Sequence, residues 1–157
     1  MSGARRASTC AGSIARAAGS ALHGARACYH RAMSVVIDAA WARAFAEAWC
    51  DAWNAHDLPR ILEHYTDDFE MASPFIVERG LDPSGVLRGK SAVADYWRRG
   101  LEAAQPPLRF ELINVYVGVD SVVLHYRSVG RRLVVEVLTF DARRRVIRGS
   151  ACWGPAV

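Results

Sequence analysis

No stretch of about 18 consecutive apolar residues occurs in the chain, which excludes a membrane-spanning helix. Acidic residues are missing from positions 1–37, where Arg5, Arg6, Arg16, Arg26 and Arg31 give a net +5; the whole chain carries +4, so residues 38–157 sum to −1. The basic balance therefore belongs to the leading segment and gives no reason to expect a nucleic-acid-binding face on the body. Cysteine is sparse: Cys10, Cys28, Cys50 and Cys152 form no CxxC pair and no zinc-ligand spacing. Free thiols in a reducing cytosol are the expectation, since a disulfide would have to join Cys50 to Cys152 or tie the leading segment to the body. Residues 1–32 lack the apolar core of a secretory signal, and Arg5-Arg6 is followed by Ala-Ser-Thr-Cys, so no twin-arginine signal or lipoprotein box is formed. The Gly89-Lys90-Ser91 triplet lacks the glycine a phosphate loop requires five positions earlier, where Ser84 stands.

What the chain does have is one domain's worth of core. At 157 residues it is too short for two ordinary domains, and nearly all of its Trp, Tyr and Phe fall after residue 40. We expect residues 33–157 to form the domain and 1–32 to be an extension rich in Ala, Arg, Gly and Ser. Three readings of that extension stand: a mis-assigned start with Met33 as initiator, which we favour, a disordered tail, or an organellar transit peptide.

Apolar residues recur at helical spacing from Ile37 to Ala55, with Trp41, Phe45, Ala48, Trp49 and Ala52 on one stripe. Asp57 before Leu58-Pro59 predicts the cap of a second helix, with Ile61, Leu62 and Tyr65 buried. Asp67-Asp68 reads as a turn, Phe69–Ile76 as a short extended stretch and 79–89 as an irregular loop. A third helix spans Lys90 to Ala104 and is closed by Pro106-Pro107. Four β-rich runs follow, Arg109–Val117, Ser121–Ser128, Leu133–Phe140 and Val146–Trp153, separated by turns at Gly118-Val119-Asp120, Gly130-Arg131 and Arg143-Arg144-Arg145. Helices first and an antiparallel meander second is an α+β order.

The segments WNAHDLPRILEHYTDDFEMASPF, LRGKSAVADYWRRGL and EVLTFDARRRVIRGSACWG resemble those of the SnoaL-like, or nuclear-transport-factor-2-like, superfamily, over essentially all of 37–157. The resemblance implies three helices packed in the concave face of a strongly curved, mixed but mainly antiparallel sheet, a cone-shaped α+β barrel around a pocket. The superfamily holds isomerases, cyclases, dehydratases and modules without chemistry, so function must be sought residue by residue. In its ketosteroid-isomerase branch a Tyr and an Asp donate to a developing oxyanion and a second Asp shuttles the proton. Here the Tyr position is Trp49 and the shuttling Asp is Ser73, just before Pro74-Phe75; an unactivated hydroxyl is too weak a base for that role. The oxyanion Asp becomes Glu136, and Trp153 takes the place of a pocket-lining Trp.

Glu136, in the apolar run 133–138, is the candidate catalytic acid or base, with burial expected to raise its pKa. A solvent-facing Glu136, or one paired with Arg127, are the alternatives. If Glu136 points inward, strand alternation turns Tyr126 inward with it and His125 outward. The expected ligand contacts are Trp49, Ser73, Phe75, Trp97, Tyr126 and Trp153. Asp57 is expected to cap a helix, Asp51 to be solvated, and Asn114 either to meet ligand or to satisfy a bulge. No metal or cofactor is expected. We expect a cytoplasmic protein, with organellar targeting left open, that binds a small apolar ligand and pairs as a homodimer through the outer sheet face. It either isomerises, cyclises or dehydrates a carbonyl compound through Glu136, or serves as a non-catalytic binding or dimerisation module.

Overall fold

The computed structural model of the chain describes residues 35–155. Cys10, Cys28 and the extension 1–32, with the choice of start, lie outside them. Four helices, α1 (Ala39–Asn54), α2 (Leu58–Leu62), α3 (Pro74–Glu78) and α4 (Lys90–Ala103), accompany six strands: β1 (Tyr65–Ala72), β2 (Val86–Arg88), β3 (Glu111–Val117), β4 (Ser121–Arg127), β5 (Leu133–Phe140) and β6 (Val146–Trp153).

Local chemistry starts the helices. The first backbone N–H groups of a helix have no partner within it, and side-chain oxygens just upstream supply one. Asp38 Oδ1 accepts from the Trp41 amide at 2.8 Å, and Asp57 Oδ1 from the Arg60 amide at 3.1 Å. At α4 a glycine does the work by conformation instead: Gly89 adopts φ +85°, which a side chain would resist. Lys90 beside it reaches Asp67 Oδ1 at 3.0 Å, which accounts for the Gly-Lys-Ser triplet as the start of a helix.

Several expectations are corrected here. Helices number four, not three, among the described residues, because Ser73-Pro74 forms a cap and first turn: Ser73 Oγ accepts from the Phe75 amide at 3.4 Å, and the expected extended stretch stops at Ala72. Residues 79–89 are not wholly irregular, since Val86–Arg88 pairs antiparallel with β1. Tyr65 does not belong to the second helix and Asp67-Asp68 is not a turn. All three lie on β1, whose register against β6 slips between Tyr65 and Glu70, leaving both aspartates exposed. The sheet runs β2-β1-β6-β5-β4-β3 and stays open, so the cone is not a closed barrel. It is mixed because β1 and β6 are parallel, while every other neighbouring pair is antiparallel.

The core lies between the helices and the inner sheet face. On α1, Ala42, Phe45, Ala46, Trp49, Cys50, Ala52 and Trp53 are buried. On the sheet, alternation brings Val122, Leu124 and Tyr126 of β4 and Val134, Glu136, Leu138 and Phe140 of β5 inward. A Cβ on Gly149 of β6 would come within 3.2 Å of Met71 Sδ and Phe69 Cζ and 3.3 Å of Leu138 Cδ2, so glycine there lets three core side chains meet over the strand. Between β5 and β6, Asp141 Oδ1 accepts from the Arg143 and Arg145 amides at 2.9 and 2.8 Å, and Arg144 takes the left-handed φ of +60° that the tight turn demands. Asn114 sits at a register shift of β3 with its Oδ1 on the Val115 amide at 2.8 Å, so it satisfies a bulge.

Candidate functional site

Glu136 is opposite Leu124 on β4 and Ala151 on β6. Tyr126 is opposite Val134, one diagonal step away on the same face, within reach of a long side chain. Its hydroxyl donates to Glu136 Oε2 at 2.8 Å in surroundings that leave Tyr126 2% and Glu136 4% exposed. The small methyl of Ala151 leaves space above the carboxyl group, and a cavity of about 290 Å³ opens there. Among the described residues nothing donates a hydrogen bond to Glu136 Oε1, yet it is not among the buried unpartnered atoms, so it is the oxygen left to the cavity.

Burial raises the Glu136 pKa from 4.5 to about 7, the bond from Tyr126 holding it down in part. Burial, and then the neighbouring Glu136 carboxylate, push the Tyr126 phenol well above its ordinary range, so it stays a donor at every physiological pH. Cys50, buried behind the site, is pushed up to about 12 by the same desolvation and remains a thiol.

Trp49 forms the floor beside this pair. Its ring stacks on Phe110 with centroids 5.4 Å apart and meets Tyr126 edge-on at 5.4 Å. Its indole N–H donates to Tyr65 Oη at 2.8 Å, a buried bond that fixes the ring. Trp97 stands edge-on to Trp53 at 5.1 Å, and Phe75 packs on Trp153 at 4.4 Å toward the opening. Ser73 borders the cavity while its oxygen caps α3. Glu136, Trp49, Ser73, Phe75, Trp97, Tyr126 and Trp153 thus come from six different elements to surround one space.

The alternative partner for Glu136 is removed, because Arg127 ion-pairs with Glu111 at 2.9 Å on the outer side. His125 is half-buried on that outer face, opposite Asn114 and Val135. Asp51 is exposed. Among the described residues no group of three or more His, Cys, Asp and Glu is placed to hold a metal ion, and no helix is long and apolar enough to cross a membrane. Cys50 and Cys152 are both free.

Several contributors were missed from sequence. Asn54 and His56, at the end of α1 and just beyond, clamp the segment leading into β3. Asn54 Oδ1 accepts from the Phe110 amide at 2.7 Å while its Nδ2 donates to the Phe110 carbonyl at 3.0 Å, and His56 Nε2 meets the Leu108 carbonyl at 2.8 Å. This pins Leu108 and Phe110 as one wall of the cavity. The Trp-Asn-Ala-His-Asp-Leu run was the available signal for it. Arg79, Tyr96 and Arg132 also border the cavity, and no sequence pattern marked them.

The SnoaL-like domain profile matches residues 46–154. The crystal structure of a SnoaL-like protein of unknown function from Burkholderia thailandensis is similar at 49% identity, covering 76% of this chain and 99% of that one, with a TM-score of 0.73. At the level of fold alone the chain is similar to an NTF2-like protein of unknown function from Cytophaga hutchinsonii (10% identity, 73% and 90% of the two chains, TM-score 0.56). A Sinorhizobium meliloti protein provisionally described as a polyketide cyclase is another such likeness (15% identity, 69% and 94%, TM-score 0.55). No functionally curated protein matches the chain.

Proposed function

The chain belongs to the SnoaL-like domain family, and on that premise we propose that it binds a small carbonyl compound in the cavity and isomerises, cyclises or dehydrates it with Glu136 as general acid and base. The observation that carries this reading is a buried carboxyl group with a pKa of about 7, one oxygen held by Tyr126 and the other left to an apolar cavity. Near neutral pH both of its protonation states are populated, which suits a group that must take a proton from carbon and return it. The Tyr126 hydroxyl at 2.8 Å stabilises the carboxylate after it gives the proton up. Trp49 and Trp153 hold a planar substrate by stacking and keep bulk water from the reacting carbon. None of these steps calls on a group beyond the chain's own residues. The fold relative described as a polyketide cyclase suits the reading without specifying a substrate.

The test is deuterium exchange at the α-carbon of a small apolar ketone such as 2-tetralone, followed by proton NMR in D2O. The protein is expected to accelerate exchange, and Glu136→Gln to remove about 10² to 10⁴ of that acceleration while ligand-induced thermal stabilisation persists. Equal exchange by both proteins would overturn the acid–base role.

A second reading, a non-catalytic binding or dimerisation module, is favoured by Trp49 and Ser73 standing where isomerases carry acid–base groups. The outer sheet face also presents Tyr116 at 51% exposure and Val135 and Val137 each at 37%. Pairing of two copies through this face accompanies either reading, and sedimentation velocity at micromolar concentration tests it: a single monomeric species would refute the pairing. The free Cys50 and Cys152 suit a reducing compartment such as the cytoplasm.

A further inference from the structure

The cavity is apolar in depth and cationic at its mouth. Arg79, at the end of α3, lays its guanidinium 5.5 Å from the Tyr96 ring centroid and 5.7 Å from that of Phe75. It crosses α4 at Gly100, where a Cβ would lie 3.8 Å from Arg79 Nη1, so Tyr96 and Gly100, one helical turn apart, form the track on which it rests. Arg132, entering β5 from the far side, places its guanidinium 5.9 Å from the same Phe75 ring. Two positive groups therefore flank one aromatic ring, and both border the cavity.

Neither has an ion-pair partner among the described residues, in contrast with Arg88 on Glu70, Arg98 on Asp95 and Glu102, and Arg127 on Glu111. An unpaired surface arginine is ordinary by itself. What distinguishes these two is position: they share the rim of a space whose single carboxyl group, Glu136, lies at the other end on the sheet. Each aromatic contact orders a guanidinium without neutralising it, and leaves its N–H edge free for an oxyanion.

Resting on the reading of this cavity as the ligand site, we propose that its ligand is an amphiphilic oxyanion, with an apolar or aromatic body among Trp49, Trp97, Phe110 and Trp153 and its anionic head between Arg79 and Arg132. This narrows the ligand class from a simple apolar carbonyl compound to an organic acid or acidic ester. The head at the rim fixes which end of the molecule reaches Glu136, so the two arginines set orientation as well as affinity.

Binding of 2-naphthoate, 2-naphthyl phosphate and neutral 2-naphthylmethanol to the full chain tests this. Quenching of tryptophan emission reports occupancy, because Trp49, Trp53, Trp97 and Trp153 all border the cavity. At low ionic strength at least one anion is expected to bind about ten-fold tighter than the alcohol, a preference that shrinks in 0.5 M salt. In the double variant Arg79→Gln, Arg132→Gln the preference should fall to within about two-fold, with affinity for the alcohol unchanged. The tighter of the two anions identifies the head as carboxylate or phosphate. Equal binding of alcohol and anions by the unmodified protein would overturn the oxyanion head and leave the cavity standing as a ligand site. No binding of any of the three would overturn both.

Discussion

Glu136→Gln is expected to make the protein more stable at alkaline pH and no different at acidic pH. In the unfolded chain the carboxyl group titrates near 4.5, and in the fold burial moves it to about 7. Below pH 4.5 it is protonated in both states and has no effect on stability. Between 4.5 and 7 the unfolded state releases the proton while the folded state keeps it, so stability falls as pH rises, and above 7 the full cost is present. At 1.36 kcal/mol per pH unit that cost reaches about 3 kcal/mol. Glutamine is neutral throughout, has nearly the same shape and still accepts from the Tyr126 hydroxyl, so the variant escapes the cost without losing the bond. For a domain of this size about 3 kcal/mol corresponds to roughly 10 °C in Tm. Thermal melts followed by circular dichroism from pH 4.5 to 9 should show the two proteins together at the acid end, the variant gaining progressively between pH 4.5 and 7, and a constant gap above pH 7. A difference that does not change with pH, or a variant less stable at pH 9, would refute the assignment of Glu136 as a buried, unpaired carboxyl group.

Tyr126→Phe removes the donor that holds the Glu136 pKa down, so the group should titrate above 7; carbon-13 NMR of labelled glutamate carboxyl groups measures this, and an unchanged or lower midpoint would contradict it. Asn54→Ala breaks both bonds to the Phe110 backbone and should destabilise by about 1–3 kcal/mol, with faster amide exchange concentrated in residues 105–111; uniform acceleration across the chain would argue against a local clamp. In thiol labelling at pH 8 resolved by peptide mapping, buried Cys50 should stay unmodified, while exposed Cys152 reacts in dilute solution and becomes protected as two copies pair over the outer face. Labelling of Cys50 at the rate of Cys152 would refute the buried placement, and concentration-independent labelling of Cys152 would refute pairing through its strand.

Local sequence and tertiary structure divided the information along physical lines. Strand ends at Leu133, Phe140, Val146 and Trp153, the cap at Asp57 and the helix start at Lys90 follow from alternation, turn residues and missing helix partners, all of which act over a few positions. That Tyr126 and His125 face opposite sides was legible for the same reason, the strand period of two, while the inward direction of Glu136, and of Tyr126 with it, was what the family resemblance implied. Where a local signal depended on one dipeptide it was misread, as at Ser73-Pro74 and at Asp67-Asp68, which lie in the irregular stretch of β1 between its two points of pairing with β6, at Tyr65 and from Glu70 onward.

Tyr65 shows the limit most plainly. Its sequence spacing fits helix burial, yet its phenol oxygen meets the Trp49 indole across a 16-residue separation. Arg79 and Arg132 belong to the cavity only because α3, α4 and β5 converge on Phe75. The first helix, the helix that starts at Lys90, the four-strand meander and the identity of the one acid in an apolar strand were determined by the sequence read by itself. The hydrogen bond that leaves half of that acid to a cavity, the pKa that burial confers, and the charge at the rim were decided only by tertiary structure, because each depends on distances between segments that no local pattern encodes.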